Sequence, residues 1–252
     1  MFIFFYSGSV LAQNYRDGDT MYVVSLNGLN IRESAEENGL KSGKLENGDT
    51  IIVIDIKSGL SDSIFGFKGC WINVKAISNN VSGYIFDAFI SRYPVLKKLN
   101  IIHELEPYKW QTGGLFEFMP QMLEEYALKV FHKSSCEIEY SNGEDRQSGH
   151  SMILNKLTSG DYLVKHGYDE SYAIELELNN VRLSEIYYLV LNLLHPLPKG
   201  MCTINEFALR NPHYGPADFY NTNCVVKCGD YCTAMLVKKD KTKYGIFFYF
   251  TY

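Results

Sequence analysis

The chain has 252 residues and a formal net charge of −5, from 24 Lys and Arg against 29 Asp and Glu. No basic surplus exists to displace phosphate counterions, which excludes a broad nucleic-acid interface. Aromatic residues reach 14%, with 19 Tyr and 15 Phe, a mixture suited to half-buried strands.

Residues Phe2 to Leu11 are apolar or small, and Val10-Leu11-Ala12 before Gln13 has the small-x-small form of a signal-peptidase site. Residues 1–12 therefore read as the end of an export signal, which predicts a periplasmic or secreted protein. The competing reading is a buried first strand, because no Lys or Arg precedes the run. The segment is shorter than the roughly 20 residues a spanning helix needs, and no other stretch suggests a membrane span.

From Met21 onward, short apolar runs alternate with turn residues. Met21–Val24, Leu29–Arg32, Thr50–Ile56, Cys70–Val74 and a segment from Gly83 are strand candidates. Asn47-Gly48 predicts a hairpin turn, since Asn-Gly supplies the positive φ such turns require. Lys57 to Phe67 reads as a polar loop. Five short strands in some 75 residues predict a small barrel or two orthogonal sheets, ending near residue 97 because Pro94 cannot continue an interior ladder.

The order of four signals in this segment resembles a bacterial Src-homology-3 domain (SH3b). They are Leu29-Asn30-Ile31-Arg32, Gly48-Asp49 before a β-branched strand, Trp71 opening the next strand, and Gly83-Tyr84-Ile85 near the end. The sequence departs from the family in its longer Lys57–Phe67 loop and in Tyr84, where Trp is commoner. The resemblance implies an SH3-like small barrel over residues 20–97, an accessory binding module of exported proteins that engages a cell-wall peptide or braces a neighbouring domain. Trp71, Tyr84, Phe65 and Phe67 are the residues expected at such a ligand. Trp71 has an alternative role as a plug for the barrel core, and Arg32 as a partner for a local carboxylate.

Residues 98–252 carry the acidic surplus: residues 13–98 hold 10 basic and 10 acidic side chains, residues 99–252 hold 14 and 19. Leu115–Lys133 has helical spacing, with Pro120 suited to its first turn. Cys136–Tyr140, Asp161–Lys165 and Tyr172–Leu178 alternate as strands, the last two forming a hairpin. Glu175 and Glu177 then fall on one face, which reads as solvated rather than as a catalytic carboxylate pair. Leu183–Leu194 is a buried helix capped by Ser184 or Asn180, with a core strand as the alternative. Asn205–Arg210 is a short helix. Phe219–Val226, Tyr231–Lys238 and Tyr244–Tyr252 close the chain as a meander, with Asp240-Lys241-Thr242 turning the last pair. The fold class expected here is α+β, an antiparallel sheet with two main helices.

Six cysteines are present: Cys70, Cys136, Cys202, Cys224, Cys228 and Cys232. Cys224, Cys228, Cys232 and Cys202 are candidates for disulfides in an oxidising compartment, with the pairing open; buried thiols are the alternative. Zinc is disfavoured because no Cys-x-x-Cys knuckle or nearby His occurs. No phosphate loop, nucleophile elbow or dinucleotide fingerprint is present, so no cofactor is expected. His150, near Glu144 and Asp145, and His213-Tyr214 are the least ordinary histidine settings. The leading expectation is an exported, non-catalytic binding protein with a cell-wall peptide or a protein as partner. The alternatives are an envelope hydrolase with its site in the second domain, and an inhibitor or immunity-type protein.

Overall fold

The computed structural model describes residues 15–56, 61–95, 114–131, 133–141, 151–157, 160–168, 171–194, 202–214, 224–228 and 231–251. It divides into two compact units, residues 1–92 and 93–252. The expected export signal at residues 1–12 lies outside the described residues.

The first unit is all β. Its strands are β1 (Thr20–Val23), β2 (Leu29–Arg32), β3 (Lys41–Leu45), β4 (Thr50–Asp55), β5 (Ser61–Ile64), β6 (Phe67–Ala76), β7 (Ser82–Phe86) and β8 (Ile90–Ser91), with a 3-10 turn at Asp87–Phe89. The antiparallel path runs β3-β2-β7-β6-β4-β1-β8, and β5 pairs with β6 off this path. Among the described strands the path does not close on itself. Period-2 alternation sends Ile31, Ile51, Val53, Ile72, Val74 and Ile85 into one core, each essentially inaccessible to water. Each such side chain contributes about 2 kcal/mol of apolar burial.

Two local expectations change. Asn47-Gly48 is a tight turn, with Gly48 at φ 87° and the Asp49 N–H donating to the Glu46 carbonyl at 3.0 Å. It joins strands that are not neighbours, however, because β3 is held by β2 while β4 pairs with β1 and β6. The Lys57–Phe67 segment is no simple loop. Ser61–Ile64 forms β5, whose polar Ser-Asp-Ser start hides it from an apolar pattern, and pairs with β6 from Ser61↔Cys70 to Ile64↔Phe67.

The second unit holds α1 (Gly114–Phe131), β9 (Lys133–Ser141), β10 (Ser151–Leu157), β11 (Tyr162–Tyr168), β12 (Ser171–Leu178), α2 (Leu183–Leu194), β13 (Cys202–Ile204), α3 (Glu206–Arg210), β14 (Cys224–Cys228), β15 (Tyr231–Asp240) and β16 (Lys243–Thr251). One eight-stranded antiparallel sheet runs β13-β14-β15-β16-β12-β11-β10-β9. The chain thus builds a helix and a four-strand meander, then repeats that order. The last strands of the two meanders meet in unbroken register from Ser171↔Thr251 to Leu178↔Tyr244.

Helix α1 packs on β12 and β16, burying Met122, Leu123, Tyr126 and Ala127 on one stripe. Tyr126 donates its hydroxyl to the Pro94 carbonyl at 3.0 Å. The helix begins earlier than expected, so Pro120 lies inside it, where it removes one main-chain bond. Helix α2 starts at Leu183, which puts Arg182, rather than Ser184 or Asn180, at the position before its first residue. Glu185 reaches back to accept from the Arg182 N–H at 3.1 Å, the carboxylate half of a capping box, and pairs with the Arg182 guanidinium at 3.7 Å. Strands β10 and β13, absent from the sequence expectation, complete the sheet.

Candidate functional site

Of the site residues expected in the first unit, Phe67, Trp71 and Tyr84 fall on one face of its sheet and Phe65 lies in a hairpin turn. Along β6, alternation places Phe67, Gly69, Trp71 and Asn73 on the side opposite Ile72 and Val74. Trp71 faces Phe86 across β7, and Asn73 faces Tyr84. A chain of ring contacts runs from Trp71 to Phe86 (5.6 Å between centroids), to Phe89 (5.7 Å) and on to Phe65 (6.2 Å). At the other end the Arg32 guanidinium lies over the Trp71 ring at 5.8 Å.

Trp71 is 3% exposed, and its indole N–H donates to Asp62 Oδ2 at 3.3 Å. It therefore fills space and offers no open shelf. Phe67 is buried as well. Among the described residues Arg32 pairs with no carboxylate; its Nη1 donates to the Gly39 carbonyl at 2.7 Å while its plane covers Trp71. Tyr84 is half-buried, and Phe65 stands out at 75% exposure.

Phe65 sits with Gly66 in the two-residue turn between β5 and β6, with φ of 51° and 80°, the signature of a type I′ hairpin. Two other non-glycine residues among those described have positive φ, and both are Asn, which tolerates that conformation: Asn80 and Asn180. Phe has no such local hydrogen bond, and the left-handed well costs it about 1 kcal/mol. The sequence thus accepts strain to project an aromatic ring at a hairpin tip.

Beneath these rings sits a buried carboxylate that sequence inspection did not single out. Asp87 is 1% exposed, accepts from the Tyr15 hydroxyl at 2.5 Å and from the Cys70 N–H at 2.7 Å, and so ties the N-terminal segment and β6 to the 3-10 turn. Gly69 is required nearby, since a Cβ there would strike the Asp87 carboxylate and the Phe86 ring.

In the second unit Cys224 and Cys232 form a disulfide between β14 and β15, and Cys232 packs on a cluster of Met235, Val237 and Phe247. The bond fits an oxidising compartment. Cys202 and Cys228 are paired in the β13–β14 register, but their side chains lie outside the described residues, as does Cys136. Cys70 is in no disulfide. His150 also lies outside the described residues. His213 is exposed, and its carbonyl accepts from the Lys238 N–H at 2.9 Å.

Glu175 and Glu177 overturn the expectation of a solvated face. Glu175 is 2% exposed and Glu177 is buried too. Lys239 bridges both, Lys243 pairs with Glu177 at 2.6 Å, and the Lys239 ammonium lies 5.4 Å from the Phe247 ring centre. Gly245 makes room, because a Cβ there would meet the Glu175 carboxylate. Both carboxylates are thus engaged in charge pairing within the sheet. Burial pulls the Lys239 pKa down, but the two glutamates outweigh it and hold the ammonium above its ordinary range.

Burial also raises two phenols, Tyr188 and Tyr244, each to about 12. Neutral tyrosine is favoured in the fold while unfolded tyrosine ionises near pH 10, so this contribution is complete below about pH 10 and is lost as pH rises toward 12. The Lys239 contribution has the same sense, being lost as pH climbs through its raised pKa. Stability is therefore expected to fall between about pH 10 and 12, with a late tyrosinate absorbance step coinciding with unfolding. A titration in which all tyrosines ionise near pH 10 while the fold persists would refute this.

Compared with known protein families and with curated proteins, the sequence matches none. Among the described residues no helix is long and apolar enough to cross a membrane.

Proposed function

We propose that this is a non-catalytic binding protein of an oxidising, extracytoplasmic compartment. Its first unit acts as an SH3b-like module that holds a cell-envelope peptide or protein segment against the face bearing Arg32, Tyr84 and Phe65. The observation that carries this reading is Phe65. A bulky ring in a left-handed turn position, three-quarters exposed, is better explained by a partner than by the fold it strains. The Cys224–Cys232 bond supports the compartment, and the charge pairing of Glu175 and Glu177 favours a structural role for that carboxylate pair.

Replacing Phe65 by Asn separates the two roles. Relief of about 1 kcal/mol of backbone strain offsets the loss of an exposed edge contact with Phe89 worth about 0.5–1 kcal/mol, so the melting temperature is expected to stay nearly constant. Retention of the full chain on insoluble cell-wall fragments is expected to drop at least tenfold. A variant that melts earlier and binds as well as the parent would show that Phe65 serves the fold alone.

A further inference from the structure

Strand β13 ends the second sheet, and its first residue is Cys202. The β13–β14 ladder sets Cys202 directly opposite Cys228, the last residue of β14, and runs without a shift through Thr203↔Lys227 to Ile204↔Val226. One main-chain bond fixes what kind of position this is. The Asn205 N–H donates to the Val225 carbonyl at 2.9 Å, which marks Asn205 and Val225 as a hydrogen-bonded pair. Bonded and non-bonded pairs alternate along an antiparallel ladder, so Thr203↔Lys227 is hydrogen-bonded and Cys202↔Cys228 is not. Opposed residues at a non-hydrogen-bonded position share one face of the sheet, with Cα atoms about 4.5 Å apart. That separation lies within the roughly 4.4–6.8 Å that a disulfide spans.

The remaining cysteines do not compete for this pair. Cys224 and Cys232 are bonded to each other with Cα atoms 5.8 Å apart, and Cys70 is in no disulfide. Cys136 lies on β9, at the opposite end of the strand order from β13, so the width of an eight-stranded sheet separates it from Cys202 and Cys228.

We infer that Cys202 and Cys228 form a second disulfide, which joins β13 to β14 as Cys224–Cys232 joins β14 to β15. Two thiols lose two protons and two electrons as the S–S bond forms, and a disulfide oxidant such as glutathione disulfide takes them up and leaves as two thiols. The oxidising compartment that suits the first bond supplies oxidants of this class. Strand β13 has three residues, and both Thr203 and Ile204 are exposed, so apolar burial does little to hold it in place. A covalent tie at its first residue closes residues 202–228, which include α3, into a loop and restricts the unfolded chain. It also pins the strand at a sheet edge, where loose main chain invites pairing with a foreign strand.

The full chain, oxidised with glutathione disulfide, alkylated in denaturant and digested with trypsin without reduction, tests this. Cys202 falls in peptide 200–210, Cys224 in 211–227, and Cys228 and Cys232 together in 228–238. The three peptides are expected to travel as one linked species that reduction separates. Further cleavage before Asp230 divides Cys228 from Cys232, and peptide 200–210 is expected to stay with Cys228. In the Cys202→Ser variant, 200–210 is expected to be released and Cys228 to become alkylated, while 211–227 stays linked to 228–238. Because the digest uses the unmodified chain, it decides the matter even if the variant folds poorly. Recovery of 200–210 from the unmodified chain with Cys202 alkylated, or its attachment to Cys136, Cys224 or Cys232, overturns the inference.

Discussion

Replacing Asp87 by Ala is expected to destabilise the first unit by about 3 kcal/mol, because it strands a buried Tyr15 hydroxyl and the Cys70 N–H that now donate to a charged acceptor. For a unit of this size that corresponds to a fall in melting temperature on the order of 10–20 °C. Asp87→Asn keeps one carbonyl acceptor and is expected to lose roughly half as much. Hydrogen exchange localises the effect: amides of β6 lose protection while amides of β12 keep theirs. Undiminished protection in β6 would mean that Asp87 is an ordinary polar residue and that other contacts seat the aromatic run.

The second large effect is expected at Glu175. Glu175→Leu leaves Lys239 with Glu177 alone, which Lys243 also claims, and places an uncompensated positive charge beside the sheet. Breaking a fully buried pair costs about 3–5 kcal/mol. Lys239 retains 31% exposure and Glu177 still holds it, so solvent and the remaining carboxylate reduce the cost to about 2 kcal/mol. Adding Lys239→Met to Glu175→Leu is expected to recover most of that loss, since an apolar pair of similar volume often replaces a buried ion pair without penalty. Urea titrations of the single and double variants measure the coupling directly. A double variant no more stable than Glu175→Leu alone would show that the lysine is not destabilising once unpaired.

Much of the strand content was legible from residue patterns. The alternation in Leu29–Arg32 and Tyr172–Leu178, the β-branched run at Thr50–Asp55 and the Asp240–Thr242 turn all lie where the pattern places them, because each strand buries one face and exposes the other. Strand β5 was hidden by its polar residues, which find their place through pairing with β6 rather than through an apolar face. Pairing partners were the larger gap. Asn47-Gly48 announces a turn, but which strands it joins depends on long-range ladders that local sequence does not encode.

The candidate site was legible in part. Phe67, Trp71 and Tyr84 share one sheet face and Phe65 stands in the β5–β6 turn, and burial removes Trp71 and Phe67 from any contact surface. The Glu175–Glu177 spacing suggested a solvated edge. Lysines 239 and 243, more than 60 positions away in sequence, decide otherwise.

The binding face of the first unit is tested most directly by amide chemical-shift mapping of the full chain with a soluble cell-wall digest. Shifts are expected to concentrate at Arg32, Phe65 and Tyr84, with the β12–β16 amides unmoved. Shifts confined to the second unit, or none at saturating digest, would contradict it.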